Sequence, residues 1–237
     1  MQVMMTRVTR ANTLTEQVMD HVRSAIFDGS MTADEWYSVY QLADQLGISR
    51  SPVRDALLRL EEAGLIMFVR NRGFQIRRTR PEDVAEIFAL RLSIEPGAAG
   101  RAALLADTHA IANLQELLNS MEQAAHQGHS DHFFDLDQAF HAEILRAGNS
   151  PRGRDFIDRL RTNTRLIGAS TAGSSRTLLD IHREHQPIFE AIADGDIAEA
   201  RSAMSGHVTT TGQLLLKQAM PDAKAEDLQL LWEQFTT

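Results

Sequence analysis

Cysteine does not occur in the 237-residue chain, which excludes disulfides and thiolate-held metals and fits a reducing cytoplasm. Any metal would have to be held by His, Asp or Glu. No apolar run approaches the roughly 20 residues needed to span a bilayer, so no membrane partner is expected. Met1–Asn12 lacks the apolar core of a signal peptide, so export is not expected and the location reads as cytoplasmic. Positive charge is in short supply too: 24 Lys+Arg stand against 32 Asp+Glu, a net charge of −8. That balance argues against a protein that coats nucleic acid indiscriminately.

The charge is unevenly spread. In residues 1–80, 11 arginines face 9 acidic residues, a balance of +2, whereas residues 81–237 carry −10. Within 46–80 there are 8 arginines and 3 acids, or +5. A small basic patch joined to a larger acidic segment fits focused contact with DNA by one end. The length suits two domains, 1–80 and 81–219, followed by a tail at 220–237.

Leu14, Val18, Val22 and Ile26 recur at helical spacing, which predicts a helix over 14–28 ended by Gly29. Val39–Leu46 reads as a second, short helix, with Gly47 as a tight turn and Ile48 as an apolar plug. Ser51 as N-cap and Pro52 at the first helical position start a third. Its stripe of Val53, Ala56, Leu57, Leu60 and Ala63 closes at Gly64. Helix, glycine turn, helix is the arrangement that lays its second helix into a major groove, with the residues at its start placed at phosphates and base edges. Those residues are Ser49, Arg50, Ser51 and Arg54. Leu65–Val69 and Phe74–Arg77 flank Arg70-Asn-Arg-Gly73 and read as a β-hairpin wing, with Arg70 and Arg72 at its tip in reach of the minor groove or the flanking backbone.

From Pro81 to Lys217 the periodicity is helical throughout. It predicts an all-α antiparallel bundle of helices near 82–106, 109–126, 130–147, 151–170, 177–194 and 196–219. Asp196 with Glu199 reads as a capping box for the last, and the leucines near Trp232 in the tail suit a short docking helix. Asp137 and His141, four residues apart, sit on the stripe that carries Phe134 and Ile144. His185 shares a stripe with Ile188 and Ile192, and His207 lies beside Met204 and Val208. A buried imidazole or carboxylate is costly unless paired. These four are therefore either hydrogen-bonded core residues or the ligands of one divalent cation inside the bundle, Zn foremost, with Ni, Co or Mn as alternatives. His182 lies one turn from His185 and is the alternative ligand if Pro187 shifts the register. His126, His129 and His132 fall in a connection and read as solvated.

Two stretches carry a family resemblance. Leu42-Ala-x-x-Leu46-Gly-Ile-Ser-Arg50-Ser-Pro-Val-Arg54-Asp-Ala-Leu57-x-x-Leu60-Glu-x-x-Gly64-Leu-Ile, followed by Asn71-Arg-Gly73, resembles the GntR family of winged-helix regulators. Upstream the chain departs from that family's Gly-x-x-Leu-Pro-Gly-like loop, and it has Tyr40 where a charged residue is frequent. Asp137-x-x-Phe140-His141, Ala147-Gly-Asn149, Glu184-His185-x-x-Ile188, Gly195-Asp196, Ala200 and His207 resemble the FCD effector domain of its FadR subfamily. The resemblance implies operator contacts by Arg50 and Arg54, Gly73 at the minor groove, and metal ligation by Asp137, His141, His185 and His207. Arg91-x-x-x-Glu95 also matches; an inward Arg91 would clamp a carboxylate effector, with Arg161 and Arg165 as further candidates. The expected protein is a homodimeric regulator, more often a repressor in this family, on a palindromic double-stranded operator. A purely structural metal is the nearer alternative. A metalloenzyme is the remoter one, since no spare inward Glu or His stands at general-base spacing.

Overall fold

Val18, Val22 and Ala25 are buried along one face of helix α1 (Leu14–Phe27), and Val53, Ala56, Leu57 and Leu60 along one face of α3 (Arg50–Glu62). Residues three and four apart fall on one side of a helix, so each sequence closes one apolar stripe against the other. Between them lies α2 (Val39–Gln45), started by the Ser38 hydroxyl, which accepts from the Tyr40 N–H at 3.2 Å. Gly47 turns the chain at φ +64°. The computed structural model describes residues 13–27, 29–33, 35–62, 64–77, 80–166, 172 and 176–237, with side chains 27 and 162–166 left aside.

Two findings differ from the sequence expectation here. Helix α3 begins at Arg50, not after a cap at Ser51; Pro52 still sits in the first turn, where its missing N–H has no partner to lose. The hairpin of β2 (Ile66–Val69) and β3 (Gly73–Ile76) gains a third strand, β1 (Trp36–Tyr37), giving the order β1-β3-β2, all antiparallel. A two-residue strand is too short to show alternation in sequence. Gly73 explains how β1 fits: at φ +110°, a Cβ there would lie 2.1 Å from the Tyr37 carbonyl oxygen.

The chain divides into two units, 1–78 and 79–237. The second holds α4 (Pro81–Leu105), α5 (Thr108–Gln127), α6 (Ser130–Ala147), α7 (Pro151–Leu166), α8 (Leu178–Ala193), α9 (Ile197–Ala219) and α10 (Ala225–Thr236). The expected continuation of α7 over 167–170 lies outside the described residues. Pro81 opens α4, and the Asp83 carboxylate accepts the Arg80 N–H at 3.0 Å. Asp196 accepts from the Glu199 N–H at 2.9 Å, one half of the expected capping box, while Thr177 and Asp180 make a complete reciprocal one at the start of α8. The core of this unit joins Phe88, Leu114, Met121, Phe133, Phe140, Ile188 and Met204. In the tail, α10 seats Trp232 against Gly212 and Phe88, where a Cβ on Gly212 would come within 2.5 Å of the indole. No helix among the described residues is long and apolar enough to cross a membrane.

Candidate nucleic-acid interface and metal centre

Ser49, Arg50, Ser51 and Arg54 are all exposed at the start of α3, on the side opposite its buried stripe. The helix turns an apolar face inward, so the alternate face must carry these groups to solvent. Arg70 and Arg72 are exposed at the hairpin tip, and Gly73 is buried beneath β1. The Arg72 guanidinium lies over the Trp36 ring, 3.9 Å from its centroid. Arg50 lies 5.9 Å from the Tyr40 ring centroid. The first unit therefore exposes arginines at one helix start and one wing tip, the two features that enter adjacent grooves of a duplex.

In the second unit, α6 supplies Asp137 and His141, α8 supplies His185 and α9 supplies His207. All four are buried, and one ligand atom from each lies within 4.8 Å of the others. The imidazole rings of His185 and His207 are 4.3 Å apart by centroid, and His141 is 5.4 and 5.3 Å from them. Each ring is held from behind by its Nδ1. His141 Nδ1 meets Glu95 of α4, His185 Nδ1 meets the Ile181 carbonyl at 2.8 Å, and His207 Nδ1 meets Glu184 at 3.2 Å. A carbonyl or ionised carboxylate can only accept, so all three Nδ1 atoms carry a proton, and in a neutral ring so anchored Nε2 is the nitrogen that bears the lone pair. The Nε2 atoms of His141 and His185 are buried without a hydrogen-bond partner. His185 Nε2 is 2.8 Å, and His141 Nε2 4.0 Å, from Asp137 Oδ1. Such spacings are near the ~3–4 Å between atoms that share an ion at ~2.0–2.2 Å.

Electrostatics keep this set ready. Burial, with the neighbouring His141, pushes His185 down to about 3. Burial, then His185 and His141, holds His207 well below its ordinary value. Burial alone would raise Glu95, but Arg91 and His141 outweigh it and hold the carboxyl well below the usual range. His185 and His207 are thus neutral and Glu95 is charged at neutral pH, and a neutral imidazole is the form a cation requires.

The arginines divide. Arg91 donates from Nε to Glu95 at 2.6 Å, lies against the Phe88 ring, and leaves its buried Nη2 without a partner. Arg161 contacts Asp137 Oδ2. The side chain of Arg165 lies outside the described residues. His182 is buried but outside the cluster, bonded to the Leu118 backbone. His126, His129 and His132 are exposed; His126 closes α5 and His132 lies in the first turn of α6, so only His129 is in the connection itself.

The profile of the bacterial regulatory proteins of the gntR family matches residues 14–76, and that of the FCD domain matches residues 86–210. The chain belongs to the GntR family and carries an FCD domain. It is a DNA-binding transcription regulator, and its relatives are regulators too, not enzymes. It is 27% identical over 195 residues to the HTH-type transcriptional regulator YdhC of Bacillus subtilis, covering 81% of this chain and 86% of that one. It is 28% identical over 202 residues to a probable D-xylose utilization operon transcriptional repressor of Paenarthrobacter nicotinovorans, covering 85% and 88%. A third relative, the transcriptional repressor RspR of Escherichia coli, is 28% identical over 194 residues, covering 80% and 81%. The solved structure of E. coli McbR/YncC superposes with a TM-score of 0.68 at 22% identity, over 95% of this chain and 100% of that one, a likeness of fold.

Sequence reasoning did not single out two groups of this GntR regulator that the fold brings to the site. Glu184 was visible only as the neighbour of His185, yet it anchors His207 from another helix. Arg176, which pairs with Glu184 and reaches Thr211 at 3.0 Å, gave no signal at all. Glu95 was legible only as the partner of Arg91, not as the support of His141.

Proposed function

We propose that this regulator is a FadR-type homodimeric repressor, working in the cytoplasm, whose helical unit binds one divalent transition metal and a small carboxylate that together govern DNA affinity. Two observations on relatives support the repressor reading: two of them carry that word in their names. The single observation that carries the metal reading is the orientation of the three histidines. Each spends its Nδ1 on an acceptor outside the cluster, which leaves Nε2 as the nitrogen available to an ion shared with Asp137, and one ligand atom from each of the four lies within 4.8 Å of the others. Hydrogen-bonded core histidines would have both nitrogens matched. Asp137, His141, His185 and His207 would hold the ion, Zn foremost and Ni, Co or Mn next. When bound, the ion supplies Lewis acidity and positive charge to an oxygen ligand.

The charge balance supports an anionic effector. Around the cluster Arg91, Arg161 and Arg176 are matched by Glu95, Asp137 and Glu184. A divalent cation adds two uncompensated charges in a buried place, and carboxylate oxygens offset them. Arg91 Nη2, buried and unmatched, is a donor of the right kind for the far oxygen. Glu95 and Glu184 are the inward carboxylates a hydrolase would need as base, and both are spent on histidine and arginine.

On DNA, Ser49, Arg50, Ser51 and Arg54 would read the major groove, with Arg70, Arg72 and the Gly73 turn at the minor groove. Two copies would meet a palindromic operator whose half-sites lie about one helical turn apart. The test has three arms on the full chain. Elemental analysis should find one transition metal per chain, lost in His185→Ala. Melting of the loaded protein against a panel of carboxylic acids should show a rise absent after chelation. Operator affinity should collapse in Arg54→Ala with the second unit still loaded. A loaded protein that no acid stabilises points to a metal that only holds the fold, and an unaffected Arg54→Ala removes the reading-helix assignment.

A further inference from the structure

Trp36 stands on β1, opposite Gln75 of β3, next to Tyr37 opposite Phe74. Successive strand residues face opposite ways. Tyr37 packs its ring on the buried Phe74, 5.4 Å between centroids, so the Trp36 ring is left on the other face of the sheet. There it lies beneath Arg72, whose guanidinium carbon is 3.9 Å from the ring centroid. The backbone at this tip is constrained as well. The Arg72 N–H donates to the Val69 carbonyl at 3.0 Å, Asn71 adopts φ +66°, and Gly73 is pinned against Tyr37.

We propose that Trp36 is a positioning residue for DNA binding: its indole face seats the Arg72 guanidinium so that the wing arginine meets the duplex already oriented. The proposal rests on the reading that Arg72 touches DNA. Its physical basis is that stacking uses the flat face of the guanidinium and none of its N–H donors, which radiate in the plane and remain available to phosphate or base edges. A free arginine would have to give up its rotamer freedom on binding; a seated one has already done so. Tyr40 and Arg50, 5.9 Å apart at the limit of such contacts, form a weaker version of the same pair.

The test uses the full-length chain and a fluorescent duplex selected by the wild-type protein from a random-sequence pool, with affinity measured across a salt series. W36L should weaken binding about two- to fivefold, the scale of an exposed cation–π contact. The salt slope should stay unchanged, because Arg72 keeps its charge. W36Y should bind nearly as well as wild type. R72A should lose more and lower the salt slope by about one. The decisive comparison is W36L in the R72A background, where it should cost nothing further. An equal loss in both backgrounds would show that Trp36 acts through the sheet or on DNA directly and would overturn the proposal. R72K guards against a misfolded W36L: it keeps the charge and the wing but lacks the planar face, and wild-type affinity in R72K would equally overturn it. If no duplex is enriched, or if R54A binds normally, the DNA-contact reading itself fails and this proposal falls with it.

Discussion

Replacing Glu95 by glutamine tests the logic of the buried cluster most directly. Glu95 and Arg91 are 1% and 3% exposed and 2.6 Å apart, and the second carboxylate oxygen meets His141. The amide keeps the shape and can still accept from His141, but the guanidinium loses its counter-charge in a place water does not reach. Breaking a buried pair from one side costs about 3–5 kcal/mol, and the retained acceptor puts this case near 3. For a unit of this size, each kcal/mol moves the midpoint by roughly 2–4 °C. Glu95→Gln should therefore lower the melting of the helical unit by roughly 6–12 °C, read by calorimetry on metal-free protein. Metal affinity should fall by about 10–100-fold, the usual effect of losing an outer partner of a ligating histidine. Adding Arg91→Met should recover part of the stability, since the orphaned charge goes with it. A Glu95→Gln protein that melts within a degree of wild type, with unchanged metal affinity, would refute both the pairing and its role behind His141.

Three further outcomes are expected. Gly73→Ala forces a Cβ onto the Tyr37 carbonyl at φ +110°, which should cost the first unit roughly 2 kcal/mol or more and abolish tight DNA binding; wild-type affinity would contradict the close approach of β1. Trp232→Ala empties the site over Gly212 and Phe88 and should cost about 3–5 kcal/mol, seen as a lower melting point together with proteolytic release of α10. Metal-free protein should lose stability in acid. His185 titrates near 3 when folded against an ordinary 6.5, so the unfolded chain binds more protons between those values and stability, complete above about pH 6.5, falls as pH drops. At pH 5 this one residue accounts for about 2 kcal/mol. A midpoint independent of pH from 7.5 to 5 would exclude a buried neutral His185, and bound metal should delay the loss.

Local order in the chain was enough for most of the architecture. The Val53, Ala56, Leu57, Leu60 stripe needs only helical spacing to bury one face and expose Arg50 and Arg54 on the other. The same spacing puts Asp137 and His141 on a single face of α6, and His185 and His207 on inward faces of α8 and α9. Periodicity tells which side of a helix a residue occupies, but neither the height nor the rotation at which two helices meet. The gathering of three histidines with Asp137, ligand atoms within 4.8 Å of one another and each imidazole anchored at its Nδ1, therefore waited for the packed bundle. So did the partnership of Glu95 with His141, 46 residues apart, and of Glu184 with His207, 23 apart. The short strand β1 and the indole beneath Arg72 belong to the same class: a two-residue pairing leaves no periodic trace and exists only because Gly73 lets another backbone come close.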